Sequence, residues 1–264
     1  MNKKTFFHIG ACIKAIILLG FITLFAYLIL TEELTLYIHP RFTYLAKLTI
    51  YLLVPLFVLQ TIEIFHRPIT VNSTCCSQHS HSHGGKWEYT PFIVTLLLAF
   101  LVPTTSLDAN FVANKGLNSK ISSSSLPNID LLPRPMAADL ARLSTIQVTE
   151  KNYTEVMSEI NLFPKDYIGK EITMIGFVFK NPDLLPHQFS LVRYVVTCCS
   201  ADALPYGVLC ETNDAAQYQE GKWLKIRGII QQSTYNGEPV GMVKTTAATE
   251  ITPPKDPYVF PLAQ

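Results

Sequence analysis

Residues 9–30 read IGACIKAIILLGFITLFAYLIL, a run whose only charged residue is Lys14. At 1.5 Å per residue, an apolar helix of this length crosses a hydrocarbon core of about 30 Å. A secretory signal peptide has a shorter apolar stretch closed by a small-residue cleavage site, whereas this run ends in Leu28, Ile29 and Leu30 before Thr31, Glu32 and Glu33. The segment is therefore expected to be an uncleaved membrane anchor.

Working outward, a second apolar run covers residues 42–65, with Lys47 near its start, Glu63 near its end and Pro55 in its middle. The charged ends can snorkel to opposite interfaces, and a membrane helix tolerates the proline at the cost of a kink. A third run, residues 88–107, is preceded by Trp87 and shares Tyr89, the residue types that settle at a membrane interface. Residues 1–110 thus form a transmembrane region of about three helices. Lys3, Lys4 and Lys14 flank the first helix, and Arg67 and Lys86 lie between the second and third. Basic residues stay inside, which places the N-terminus and the second loop in the cytoplasm and the C-terminal part outside it.

Residues 111–138 carry Ser122 to Ser125, Pro127, Pro133 and Pro135 without helical or strand periodicity, and read as a flexible linker. Beyond them, residues 139–264 have the interleaved charge of a soluble domain. A short helix is expected near Tyr153 to Asn161. Strand-like runs follow at Glu171–Lys180, Phe189–Cys198, Tyr206–Glu211, Trp223–Gln231 and Met242–Ile251. The first is apolar on both faces with Gly176 at its centre, as in a strand that bends within a barrel. One or two helical turns between the third and fourth runs, at Asn213–Glu220, complete the pattern of an OB-like five-stranded barrel. The fold class is a membrane α-helical N-terminal region joined to an all-β C-terminal domain.

The chain has 264 residues, 48% hydrophobic and 16% charged, with a net charge of +1. So small a charge gathers no phosphate backbone, so no nucleic acid partner is expected. No nucleotide-binding glycine loop, nucleophile elbow or HExxH occurs, and an enzyme is not expected.

The six cysteines cluster instead of forming a disulfide framework. The second loop reads CCSQHSHSHGGKW and places Cys75, Cys76, His79, His81 and His83 within nine residues. Thiolate and imidazole donors suit zinc, copper or nickel; the alternative is a solvated loop that is merely histidine-rich. The second cluster, CCSADALPYGVLC, contains Cys198, Cys199, Asp202 and Cys210. If a hairpin folds about Leu204-Pro205, Cys199 stands opposite Cys210. The cysteines then form a disulfide, remain small buried thiols, or hold a metal with Asp202 or His187.

ILTEELTLYIHPRF between two apolar runs, the His-rich second loop, and CCSADALPYGVL within a small β-domain together resemble the YcgQ family of permease subunits. The resemblance covers nearly the whole chain. It implies a multi-pass protein of the bacterial cytoplasmic membrane that works beside a separate, larger polytopic permease. The spans hold no central charged residue of the kind that marks a substrate route, which agrees with an accessory role in the lipid bilayer. The alternative is a membrane-anchored metal-binding or thiol-redox envelope protein that acts without a permease.

Overall fold

The computed structural model of the chain describes residues 9–65, 86–102, 106–107, 109, 111–112, 133–235 and 237–261. The chain divides into two compact units, one of Met1–Thr35 with Pro40–Thr105 and one of Leu36–His39 with Ser106–Gln264.

The first unit contains α1 (Ile9–Leu30), α2 (Thr43–Phe65) and α3 (Thr90–Leu101). Helix α1 packs against both others. The approach to α3 is close at Gly20, where an added Cβ would stand 2.8 Å from Leu96 Cδ1. Ala11, Ala15 and Ala46 are also buried, so small residues allow the backbones to come together. Outward-facing Ile16, Leu48, Leu52, Leu59, Phe92 and Leu97 are exposed. An apolar exterior on an apolar helix suits lipid rather than water. Helices α1 and α2 are long and apolar enough to cross a membrane. Helix α3, with 12 residues, is shorter than the run at 88–107 suggested. It stops because Pro103 biases the residue before it towards extended backbone, and Val102 accordingly has ψ 121°. The count of three spans is not reached on helix length alone.

In the second unit, β2 (Glu171–Phe179), β3 (Gln188–Val195), β4 (Leu204–Glu211), β5 (Trp223–Tyr235) and β6 (Glu238–Glu250) form a closed five-stranded barrel. Around the barrel the order is β2, β5, β6, β4, β3 and back to β2. The β4–β6 pair is parallel, and the other four pairings are antiparallel. Two short strands, β1 (Thr145–Gln147) and β7 (Tyr258–Val259), add in parallel to β2 and β3. Gly176 lies where β2 crosses β3, and a Cβ there would stand 2.8 Å from the Val192 carbonyl oxygen.

The interior is filled by Ile172, Met174, Val178, Phe189, Leu191, Val208, Leu224, Ile226 and Val243. Tyr153, Val156, Met157 and Ile160 join them from α5 (Tyr153–Leu162), which is preceded by the short α4 (Ala137–Arg142). Between the third and fourth barrel strands a single 3-10 turn, Ala215–Gln217, forms within the stretch expected to make one or two helical turns. Sealing of the core falls to α5 instead, whose apolar face packs on β4 and β6. Arg134 fixes the other face of α5: its guanidinium lies 2.6 Å from Glu159 and 2.8 Å from Asp166, and 3.7 Å above the Phe163 ring.

A second apolar layer covers the outside of β2 and β3. Phe177, Phe179, Val192, Tyr194 and Trp223 are buried there beneath Ala109, Val112 and Tyr258. Thus the start of the segment read as a linker is packed on the barrel, and Tyr258 OH accepts the Leu107 amide at 2.9 Å. Arg193, 2% exposed, binds Glu150 Oε1 at 2.9 Å and donates to the carbonyls of Asp256 and Tyr258, tying the C-terminal segment to β3.

Gly241 in β6 lets α5 settle, since a Cβ there would lie 2.4 Å from the Ile160 carbonyl oxygen. G241A should therefore destabilise the barrel by about 2 kcal/mol or more, the cost of overpacking against a backbone that cannot yield. Thermal unfolding of the full chain in detergent measures it.

Candidate functional site

Strand β3 ends at Val195, three residues before the paired cysteines. Residues 196–203 make the connection to β4, and the 3-10 turn Ser200–Asp202 bends it back. Cys198 and Cys199 consequently lie on a loop and are freed from strand alternation, which would have sent them to opposite faces. Their sulfurs are 3.6 Å apart. Cys198, Cys199 and Asp202 present ligand atoms that all lie within 4.8 Å of one another.

The turn is built around the Asp202 carboxylate. Its Oδ1 accepts the Thr197 amide at 3.0 Å, and its Oδ2 accepts the Cys198 amide at 2.6 Å. Burial raises the Asp202 pKa, but hydrogen bonds from the Cys198 thiol and from backbone amides outweigh that and hold it below the ordinary carboxylate range. Hydrogen bonding to Asp202 and to Cys199 pushes the Cys198 thiol up to about 11. The turn therefore sets a protonated Cys198 thiol beside a fixed carboxylate.

The connection is also paired from an unexpected quarter. Ile38 forms an antiparallel bridge with Cys199. The His39 amide donates to the Cys198 carbonyl at 2.9 Å, and the Ser200 amide donates to the Tyr37 carbonyl at 2.8 Å. Sequence reading missed this contact. Its local signal was the β-prone LYIH, residues 36–39, between two helical segments.

Cys210 is not part of this cluster. Register places it opposite Phe189 within β4, so a hairpin that faces Cys199 towards Cys210 does not form. It is fully buried, and burial pushes its thiol up to about 12, the condition of an inert packing residue. His187 is likewise elsewhere, 3.5 Å from Glu211 at the far end of the β3–β4 ladder. No disulfide links the described cysteines. Cys75, Cys76, His79, His81 and His83 lie outside the described residues.

The aromatic face of the barrel, where an OB-like domain could stack a ligand, is covered by the chain itself at Phe177, Tyr194 and Trp223. A shallow groove is lined by Thr145, Glu171, Thr173, Lys225 and Arg227, with the Glu171 carboxylate and Arg227 guanidinium paired across it. The Glu171–Arg227 pair cancels, and Lys225 leaves the groove one net positive charge.

Comparison with known proteins extends along nearly the whole chain. The DUF1980 N-terminal domain matches residues 13–118, and the DUF1980 C-terminal domain matches residues 133–261. A Streptococcus mutans protein named "Putative two-component membrane permease complex subunit" is 27% identical over 277 residues, covering 94% of this chain and 98% of that protein. UPF0703 protein YcgQ of Bacillus subtilis is 23% identical over 280 residues, with the same coverage of both chains.

Because Asp202 holds the Cys198 pKa up, D202A should lower it and enlarge the thiolate fraction at pH 8. Alkylation of Cys198 should then accelerate by about threefold for each unit of pKa lost, because the larger thiolate fraction is partly offset by a weaker nucleophile. Peptide mass spectrometry of iodoacetamide time courses at several pH values reads the shift.

Proposed function

The chain belongs to the DUF1980 family, with both of its domains in place, and from that premise we propose that it is the accessory subunit of a two-component membrane permease, acting with a separate polytopic partner. The observation that carries this reading is the near full-length match to the Streptococcus mutans protein bearing that name. Physical chemistry supports the division of labour. Lys14, Lys47 and Glu63 lie towards helix ends, and Gln60 donates to Glu63 at 2.6 Å, so the middles of α1, α2 and α3 offer no charged route to a substrate. The conduction path belongs to the partner.

Topology enters through Leu36–His39. This segment connects α1 to α2 and its backbone pairs with Cys198–Ser200, which supports a reading with the loop and the barrel on one side of the bilayer. If α1 and α2 both cross, residues after Phe65 lie on the other side, and the chain must return before Ser106. Helix α3 is the apolar helix described in that interval. With the preceding 3-10 turn, Lys86–Tyr89, it reaches about 26 Å, enough for a bilayer thinned locally around it. This favours three crossings, an OB-like barrel outside, and the N-terminus and His-rich loop inside, where Cys75, Cys76, His79, His81 and His83 would add a metal-binding tract.

Gentle detergent extraction of tagged protein should bring down a large polytopic membrane protein in fixed ratio. A monomer without such a partner would favour the alternative, an anchored metal-binding or thiol-redox protein. Alkaline phosphatase fused after Gln264 should be active and fused after Phe65 inactive; equal activity at both points would remove α3 from the membrane.

A further inference from the structure

We infer that the Cys198–Asp202 turn is a binding site for a single thiophilic divalent cation of the zinc class, ligated by the Cys198 and Cys199 sulfurs and an Asp202 carboxylate oxygen. Two sulfurs on one tetrahedral zinc, each about 2.3 Å from it, stand roughly 3.8 Å apart. The observed separation of 3.6 Å is close to that chord. Adjacent residues of a strand could not achieve it. The loop can, because β3 stops at Val195 and Asp202 draws the Thr197 and Cys198 amides inward. The carboxylate that organises the turn is itself the third donor, and each oxygen keeps a lone pair beyond its amide bond.

Donor chemistry selects the ion. A linear copper(I) pair would hold its sulfurs about two bond lengths apart, well beyond this spacing, and gains little from carboxylate. Magnesium and calcium call for oxygen ligands throughout. Zinc accepts two thiolates and a carboxylate, and on binding the two thiols each release one proton to solvent. Three protein ligands leave one position open, the arrangement of sites that exchange a ligand rather than close around the ion. Cys198 is exposed, so entry from solvent is direct.

The site also has a mechanical neighbour. Ile38 and His39 pair with Cys199 and Cys198, so an ion would stiffen the turn on which the α1–α2 connection is held. A role in presenting zinc to a permease rests on the accessory-subunit reading; the site itself rests only on the geometry of the turn.

The test uses the full chain in detergent, purified without a polyhistidine tag and reduced with a phosphine. Its background removes the other candidate donors through C75S, C76S, H79A, H81A and H83A. After zinc loading and desalting, elemental analysis should find one zinc per chain. Adding C198S and C199S should abolish it, and adding D202N should weaken it on the order of tenfold or more. Cobalt(II) should give a sulfur-to-metal charge-transfer band that disappears with the same cysteine changes. Because the cysteines occupy a loop outside the barrel core, the unfolding midpoint of the double serine variant without metal should match its parent. Zinc retained after both cysteines are replaced, or no zinc in the reduced parent, would overturn the site. Neither result touches co-purification with a polytopic partner, which tests the permease reading separately.

Discussion

Burial of β2 and β3 on both faces is the constraint from which the rest of the soluble unit follows. Phe189 and Leu191 point into the barrel core, while Val192 and Tyr194 belong to the outer apolar layer. A sheet in this position cannot leave its outer face to water, because the aromatic area of Phe177, Tyr194 and Trp223 is too large. The chain supplies its own cover in Leu107, Ala109, Phe111, Val112, Tyr258 and Phe260. Closure then demands glycine where strands cross most tightly: a Cβ on Gly207 would stand 2.1 Å from the Leu191 carbonyl oxygen.

That double burial explains the polar interactions that accompany it. Arg193 is carried inward on β3, where Glu150 and three backbone carbonyls from residues 256–258 satisfy its buried guanidinium. Its requirement for partners fixes where the C-terminal segment runs. Tyr258 follows into the outer layer and receives the Leu107 amide, so the two covering segments are fastened to each other. Glu159 has a similar place on α5, where Arg134 and the Tyr167 hydroxyl satisfy its buried carboxylate.

The Cys198–Asp202 turn projects from this rigid frame. Ala203 beneath it is fully buried, and Val196 is hydrogen-bonded to Val259, so both ends of the turn are anchored. The donors are thus held by short-range hydrogen bonds on a scaffold that does not need them for its own core. Such an arrangement frees cysteine for chemistry at the turn, whereas Cys210, inside the scaffold, is spent on packing.

The sequence determined what local pattern can determine. The apolarity of Ile9–Leu30, interrupted by no charge except Lys14, specified a helix over those residues, and runs such as EITMIGFVFK specified strands, because backbone hydrogen bonding and the side-chain period are set by near neighbours. It also singled out the cysteine pair and Asp202. It did not determine which of the neighbouring candidates would meet. Cys210 was excluded by strand register, α5 took the sealing role from a segment between β4 and β5, and Leu36–His39 reached Cys199 across more than 150 residues of chain. Register, closure and long-range pairing depend on which surfaces remain to be buried once every element has formed, and that is a property of the assembled barrel.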